Sequence, residues 1–152
     1  MNKKTYILAI DTTQPETGIG LLVNNQSVIK TWVSQHNQSD ELLPNIGKLL
    51  KKQGIEPTQL NSVAVNLGPG SFTGLRVGIS VANAFGYGLQ IPVIGKANLT
   101  GNAQERIGQL LKLTANTKKF RQVLPEYGRP PRITIPVSKT GGRGRFDCTK
   151  IG

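Results

Sequence analysis

Two short stretches hold the residue types from which phosphate chemistry is built. One is Asp11, Thr12 and Thr13 in "AIDTT"; the other is "GPGSFTGLRVGIS", Gly68 to Ser80, set between the apolar run "SVAVNL" and a long, mostly apolar segment. A glycine-rich turn that opens a helix offers an anion free backbone N–H groups and the positive end of a helix dipole. Two familiar loops of this kind do not fit. A P-loop places Lys and then Ser or Thr after its last glycine, whereas Leu75 follows Gly74 here. A dinucleotide fingerprint spaces its glycines G-x-G-x-x-G and supplies an acid about 20 residues on for the ribose. Here the glycines are Gly68, Gly70 and Gly74, and "GLQIPVIGK" holds no acid. What remains is a strand, a tight Gly-Pro-Gly turn and a helix that Ser71 or Thr73 caps. Asp11, Thr12, Thr13, Gly68, Gly70 and Ser71 are therefore expected to form at most a vestigial phosphate site, able to bind ATP or ADP weakly, with no resident cofactor. The loop "TTQPETG" brings no Lys or Arg to meet phosphate charge, so Asp11 reads equally well as a turn residue.

Other catalytic chemistry has little to draw on. His36 is the only histidine, so no His pair exists to hold a metal. Cys148 is the only cysteine, and the eight acids are scattered. A Ser-His-Asp triad would have to recruit His36 from a polar loop. The expectation is a chain that is not an enzyme on its own and has no metal site; the alternative is a nucleotide-binding ATPase or kinase-like enzyme that uses Asp11 and the glycine loop.

The segment after the glycine turn is more informative. Gly74, Gly78, Ala82 and Gly86 recur every four residues and form one ridge of small side chains. Each glycine costs a helix about 1 kcal/mol relative to alanine, so the ridge implies close approach of another backbone. Phe72, Leu75, Ile79 and Leu89, with Val77, Val81 and Phe85, leave this helix apolar over most of its circumference. Such a helix is buried on more than one side, by the sheet and by another helix of this chain or of a partner.

The elements that position these residues follow from periodicity. Residues 5–13 read as a buried strand ending in a polar turn, and "IGLLVNN" and "SVIKTWVS" as two more strands joined by a tight hairpin. "SDELLPNIGKLLKKQG" reads as a helix with Ser39 as N-cap, Asp40 and Glu41 in the first turn, and lysines in the last; Pro44 is acceptable there if it lies within the first turn. "NSVAVN" is a central strand, residues 72–89 a helix, "IPVIGK" a strand, and "NLTGNAQERIGQLLKL" a helix capped by Asn98 or Thr100. The fold class is α/β, a mixed five-stranded sheet in the order β-β-β-α-β-α-β-α. That order resembles the ribonuclease H-like lobe of actin-like ATPases and sugar kinases, in which a first strand ends in an Asp that meets phosphate and metal.

The chain has 152 residues and a formal net charge of +11. Residues 1–100 carry eight Lys/Arg and five Asp/Glu; residues 101–152 carry eleven and three. Two regions are expected: a lobe over 1–113 and a basic, Pro/Gly-rich appendage over 114–152, with one short strand in "RITIPV". A basic appendage reads either as a contact for RNA phosphates or as a solvated tail. One cysteine precludes a disulfide within the chain and points to the cytoplasm. "YILAI" is too short for a signal-peptide core or a membrane span.

Taken together, "AIDTT", "ELLPNIGKLL", "VNLGPGSFTGLRVGIS" and "IPVIGKANL" resemble the TsaB (YeaZ) family, over roughly residues 5–100. That family takes part in making threonylcarbamoyladenosine on transfer RNA. The resemblance implies an actin-like lobe and a non-catalytic role beside TsaD, the subunit that performs the transfer with a metal held by a His-xxx-His pair. The ATPase TsaE joins that complex. The helices matching residues 39–53 and 72–89 pack on TsaD in the family. This implies a partner-binding set of Leu42, Leu43, Ile46, Leu50, Phe72, Gly74, Leu75, Arg76, Gly78, Ile79 and Ala82, and a homodimer through the same helix when the partner is absent. Family members often carry "HSE" where Gln38, Ser39 and Asp40 stand here, and most have a second lobe where this chain has about 50 basic, Pro/Gly-rich residues.

Overall fold

The computed structural model describes residues 4–115 and 117–126. Its first strand, β1 (Tyr6–Asp11), is buried beyond its first residue. Antiparallel to it runs β2 (Glu16–Val23), and antiparallel to that β3 (Gln26–Val33). Asn24 and Asn25 make the two-residue turn between β2 and β3, both at positive φ (51° and 71°). That turn geometry matches the twist of a hairpin, and asparagine tolerates it better than most residues. On the other side of β1 lies β4 (Ser62–Gly68), parallel to it, and β5 (Val93–Ala97) lies parallel to β4. The strand order is β3-β2-β1-β4-β5, the mixed sheet that the element order implies.

Among the described residues three α-helices connect or follow the strands, α1 (Gln38–Lys52), α2 (Phe72–Leu89) and α3 (Ala103–Leu110), and a single 3-10 turn, Pro57–Gln59, leads into β4. Alternation along β1 divides the core in two. Leu8 and Ile10 face α1 and α2, where Leu42, Ile46 and Leu50 meet Leu75, Ile79 and Ala82. Ile7 and Ala9 face α3, against Ile107, Leu110 and Leu111. On that second face two glycines of β2 let α3 settle on the strand. A Cβ at Gly18 would lie 2.8 Å from Ile107, and one at Gly20 2.5 Å from it.

Each α-helix begins at the C-terminal edge of the parallel strands and runs toward their N-terminal edge. Gln38 in α1 donates to Thr12 O and Gln14 O, Ser71 N before α2 donates to Thr13 O, and Ala103 N in α3 donates to Glu16 Oε1. At the far end, α2 returns through Pro92, whose carbonyl accepts from Val63 N at the start of β4.

The helix ends differ from expectation in detail. Ser71 caps α2, its Oγ accepting from Gly74 N at 3.0 Å. Asn102, rather than Asn98 or Thr100, caps α3 in a reciprocal pair with Glu105 (2.9 and 3.1 Å), which satisfies two otherwise free N–H groups. Asn98 instead ends β5 in the left-handed region, at φ 60°. Ser39 is not a cap: α1 starts at Gln38 after Asn37, with no side-chain cap bond. Pro44 therefore falls in the second turn, where Asn45 Nδ2 donates to Glu41 O at 2.9 Å.

After α3 the chain crosses to the other face as a strap, residues 117–126. Phe120 lies beside Gly86 and makes an edge-on contact with Tyr87, ring centroids 6.0 Å apart. Asn83 of α2 holds Val123 by both backbone groups, at 3.0 and 2.9 Å, and Glu126 N donates to Leu67 O at 2.7 Å. The strap thus runs from the N-terminal to the C-terminal edge of the sheet along α2. "RITIPV" and Cys148 lie outside the described residues.

Candidate functional site: the C-terminal edge and the outer face of two helices

The six residues expected to form a phosphate site lie together at the C-terminal edge, where Thr13 bonds to Asp11 through its N–H and hydroxyl and accepts from Ser71 N through its carbonyl. Asp11 ends β1 fully buried. Its Oδ1 accepts from Thr13 N (3.0 Å) and Thr13 Oγ1 (2.7 Å); its Oδ2 accepts from Asn66 Nδ2 (3.0 Å) and Arg106 Nε (2.6 Å). Arg106 reaches Asp11 from α3, and its Nη1 also donates to Gly101 O at 2.8 Å. A carboxylate with four donors on its two oxygens is a satisfied buried charge rather than an open ligand. Gly70 lies so close to Thr13 that a Cβ there would collide with its backbone, and Gly68 stands at φ 115°. The Gly-Pro-Gly turn therefore packs directly on the "TT" turn. Among the described residues no group of three His, Cys, Asp or Glu is placed to hold a metal.

Reading the loop alone missed Arg106, the cation that meets Asp11. Its signal is on α3: Ala103, Arg106, Ile107 and Leu110 occupy one stripe at helical spacing and are all buried. A charge on a buried stripe needs a partner.

Thr12 explains the small-residue ridge. Its hydroxyl donates to Gly74 O and accepts from Gly78 N at 3.1 Å. One side chain thereby bridges the carbonyl and amide that are one helical turn apart in α2. A Cβ at Gly74 would strike Thr12 O, and one at Gly78 would strike the Thr12 hydroxyl. Toward the far end, a Cβ at Gly86 would strike Val93 and Phe120. The close approach the ridge implies is to this chain's own sheet and strap.

This corrects the partner-binding set. Leu42, Ile46, Leu50, Gly74, Leu75, Gly78, Ile79 and Ala82 are all buried in the core of this chain. With the small ridge, Leu75 and Ile79 turned to the sheet, Phe72, Arg76, Val77, Val81 and Phe85 lie toward the outside of α2. Leu43 (53% exposed), Phe72 (48%) and Arg76 remain on the outer face, the Arg76 guanidinium 5.0 Å from the centre of the Phe72 ring. Beside them Val77, Val81 and Phe85 are half-buried. Between α1 and α2 an apolar groove of about 350 Å³ is lined by Leu43, Pro57, Val81, Ala84, Phe85, Gly88 and Leu89. At the helices' N-terminal ends it gives way to a cleft of about 540 Å³ beside His36, Gln38, Phe72 and Val77.

Comparison with known proteins gives a consistent picture. The family model described as TsaD, tRNA N6-adenosine threonylcarbamoyltransferase, matches residues 29–114, more than half of the chain. A curated relative from Haemophilus influenzae, "tRNA threonylcarbamoyladenosine biosynthesis protein TsaB", is 31% identical over 131 residues, 81% of this chain and 56% of its own. The protein of the same name from Escherichia coli is 33% identical over 98 residues, 64% of this chain and 42% of its own. The solved structure of YeaZ from Pseudomonas aeruginosa superposes with a TM-score of 0.61 at 29% identity, covering 62% of this chain and 45% of that one. The chain spans about half the length of the curated relatives it matches.

Proposed function

Since the chain belongs to the TsaD family, on its TsaB (YeaZ) branch, we propose that it acts in threonylcarbamoyladenosine biosynthesis as a non-catalytic subunit. In this reading it docks and activates a TsaD-like transferase through the outer face of α1 and α2. The observation that carries the reading is the apolar groove between those helices, with Val81 in its wall, and Phe72 and Arg76 exposed farther along the same outer face, toward the N-terminal end of α2. Aromatic and arginine side chains over an apolar floor are the composition of interface hot spots. The division of labour is supported by chemistry. This chain has one histidine and hence no His-xxx-His pair, and the carboxylate at the end of β1 is engaged by four donors. The reading includes no resident cofactor. A TsaE-like ATPase would join the complex through the transferase, and a second copy of this chain would cover the same groove when the transferase is absent.

The test is co-purification with a TsaD-like subunit. Gly78 and Ala82 are unsuitable probes, because a charge there would disrupt the fold rather than the docking face. Val81→Arg places a charge in the groove from a half-buried position on the helix exterior. It should weaken the complex about 30-fold or more, as loss of a hot spot worth about 2 kcal/mol does, with the unfolding midpoint of the isolated chain nearly unchanged. Unaltered co-purification of the Val81→Arg variant would refute docking through this face.

A further inference from the structure

The described lobe is electrically polar from one edge of its sheet to the other. Since α1, α2 and α3 all start at the C-terminal edge, acids in first turns collect there: Asp40 and Glu41 in α1, Glu105 in α3. Asp11, Glu16 and Glu126 lie at the same edge. The opposite edge gathers cations. Lys48, Lys51 and Lys52 stand on the last turns of α1, and Lys4 precedes β1. Lys112 follows α3, while Lys118, Lys119 and Arg121 flank Phe120 where the strap meets the end of α2. All eight are exposed, and Glu56 is the one acid near them among the described residues. Also among the described residues, Asp11–Arg106 is the one ion pair, so these cations are not neutralised within the lobe. Lysines near a helix C-terminus are ordinary, because they complement its dipole. That accounts for Lys51 and Lys52 but not for residues 118–121, which lie on an irregular strap. The strap is also not free to carry its charge elsewhere, since Asn83 and Leu67 hold it to the lobe.

We propose that this N-terminal edge is a phosphate-tracking surface for a structured RNA, at the opposite end of the sheet from the Asp11 cluster. A cationic surface of this extent suits a polyanion with regularly spaced charges. The choice of RNA over an anionic membrane rests on the function proposed above; the charge geometry does not.

The measurement is binding of the full chain to a fluorescently labelled transfer RNA transcript, from 50 to 200 mM salt. The wild-type affinity should fall steeply with salt, because counterion release scales with the phosphates contacted. Lys118→Gln, Lys119→Gln and Arg121→Gln together should lower affinity roughly tenfold or more at 50 mM salt. They should also flatten the slope of log K against log salt by about 2–3. Lys48→Gln, Lys51→Gln and Lys52→Gln should act in the same direction, while Lys30→Gln with Lys96→Gln, away from this edge, should leave the slope nearly unchanged. Four results would overturn the proposal: no salt-dependent RNA binding, equal loss in the Lys30/Lys96 control, loss confined to Arg143→Gln with Arg145→Gln in the basic appendage, or binding to phosphatidylserine vesicles but not to RNA. If a TsaD-like subunit still co-purifies while RNA binding is absent, this inference fails and the docking function stands. Edge-dependent RNA binding supports it even where the subunit does not co-purify.

Discussion

Asp11 ends the first strand, where a phosphate-transferring lobe of this topology would present a carboxylate to its ligand. Here Arg106, Asn66 and Thr13 close around it instead. The energetics follow from burial. Asp11 is fully enclosed and the Arg106 side chain is 9% exposed, so removing one charge leaves the other stranded in a low dielectric. Truncating Arg106 to Met keeps an apolar side chain at this position of α3's buried stripe and removes the guanidinium. The expected loss is about 3–5 kcal/mol, the usual result of orphaning a buried charge, read as a lower urea midpoint at unchanged m-value. Asp11→Asn should also destabilise, for a stereochemical reason. Its amide can present one acceptor to Thr13, but its NH2 would then face the donors of Asn66 and Arg106. A loss under about 1 kcal/mol for Arg106→Met would mean that the pair is incidental to the fold.

At the scale of elements, the helix glycines separate into two kinds that sequence position alone does not distinguish. Gly47 lies within α1 with open space where a Cβ would go, whereas Gly78 lies within α2 against the Thr12 hydroxyl and Ile10. Helix propensity favours alanine over glycine by about 1 kcal/mol at either site. Gly47→Ala should therefore stabilise by up to about that amount, while Gly78→Ala should destabilise by about 1–3 kcal/mol from overpacking; thermal unfolding of the two variants gives the signs. The same contrast shows what was legible beforehand. The five strands, a tight hairpin at "NNQ", a cap at Ser71 or Thr73 and the span of α2 follow from period, turn chemistry and capping, which are local; the structure chooses Ser71 and places the turn at Asn24–Asn25. Which way α2 faces is not local. A four-residue repeat of small side chains announces close packing without naming the neighbours, which are Ile10 and Thr12 at the end of the first strand, Val93 of β5 and Phe120 of the strap. Arg106 was hidden for a related reason. Asp11 and Arg106 are 95 residues apart, and only the fold makes them adjacent. Asn102 lost out to Asn98 and Thr100 as the expected cap because all three are good cap residues within five positions, and the box with Glu105 decides among them.

At the scale of the whole molecule, the strap decides how the sheet's front face is closed. On that face α1 and α2 cover the middle, and the flank of α2 near β5 is covered by residues 117–126 rather than by a third helix. Phe120 fills the notch that Gly86 opens, and Val123 is fixed by Asn83 through two hydrogen bonds. An extended segment makes few backbone bonds of its own, so its local stability rests on such anchors. Asn83→Ala removes both hydrogen bonds, each worth about 0.5–1.5 kcal/mol net, and so should raise the population of a detached strap by roughly 5–150-fold. Lys118, Lys119 and Arg121 make that population visible, because trypsin cleaves after each of them once the strap leaves the lobe. When opening is fast relative to cleavage, the rate follows the open fraction. The expected outcome is faster cleavage at 118–121 in the Asn83→Ala variant, with cleavage at Lys51 in α1 unchanged. A parallel rise at Lys51 would mean that the whole lobe had been loosened. No change at 118–121 would mean that Phe120 and the Glu126–Leu67 bond hold the strap without Asn83. The strap also carries three of the eight cations at the N-terminal edge, so its detachment would weaken RNA binding in the proposal above without altering a single charge.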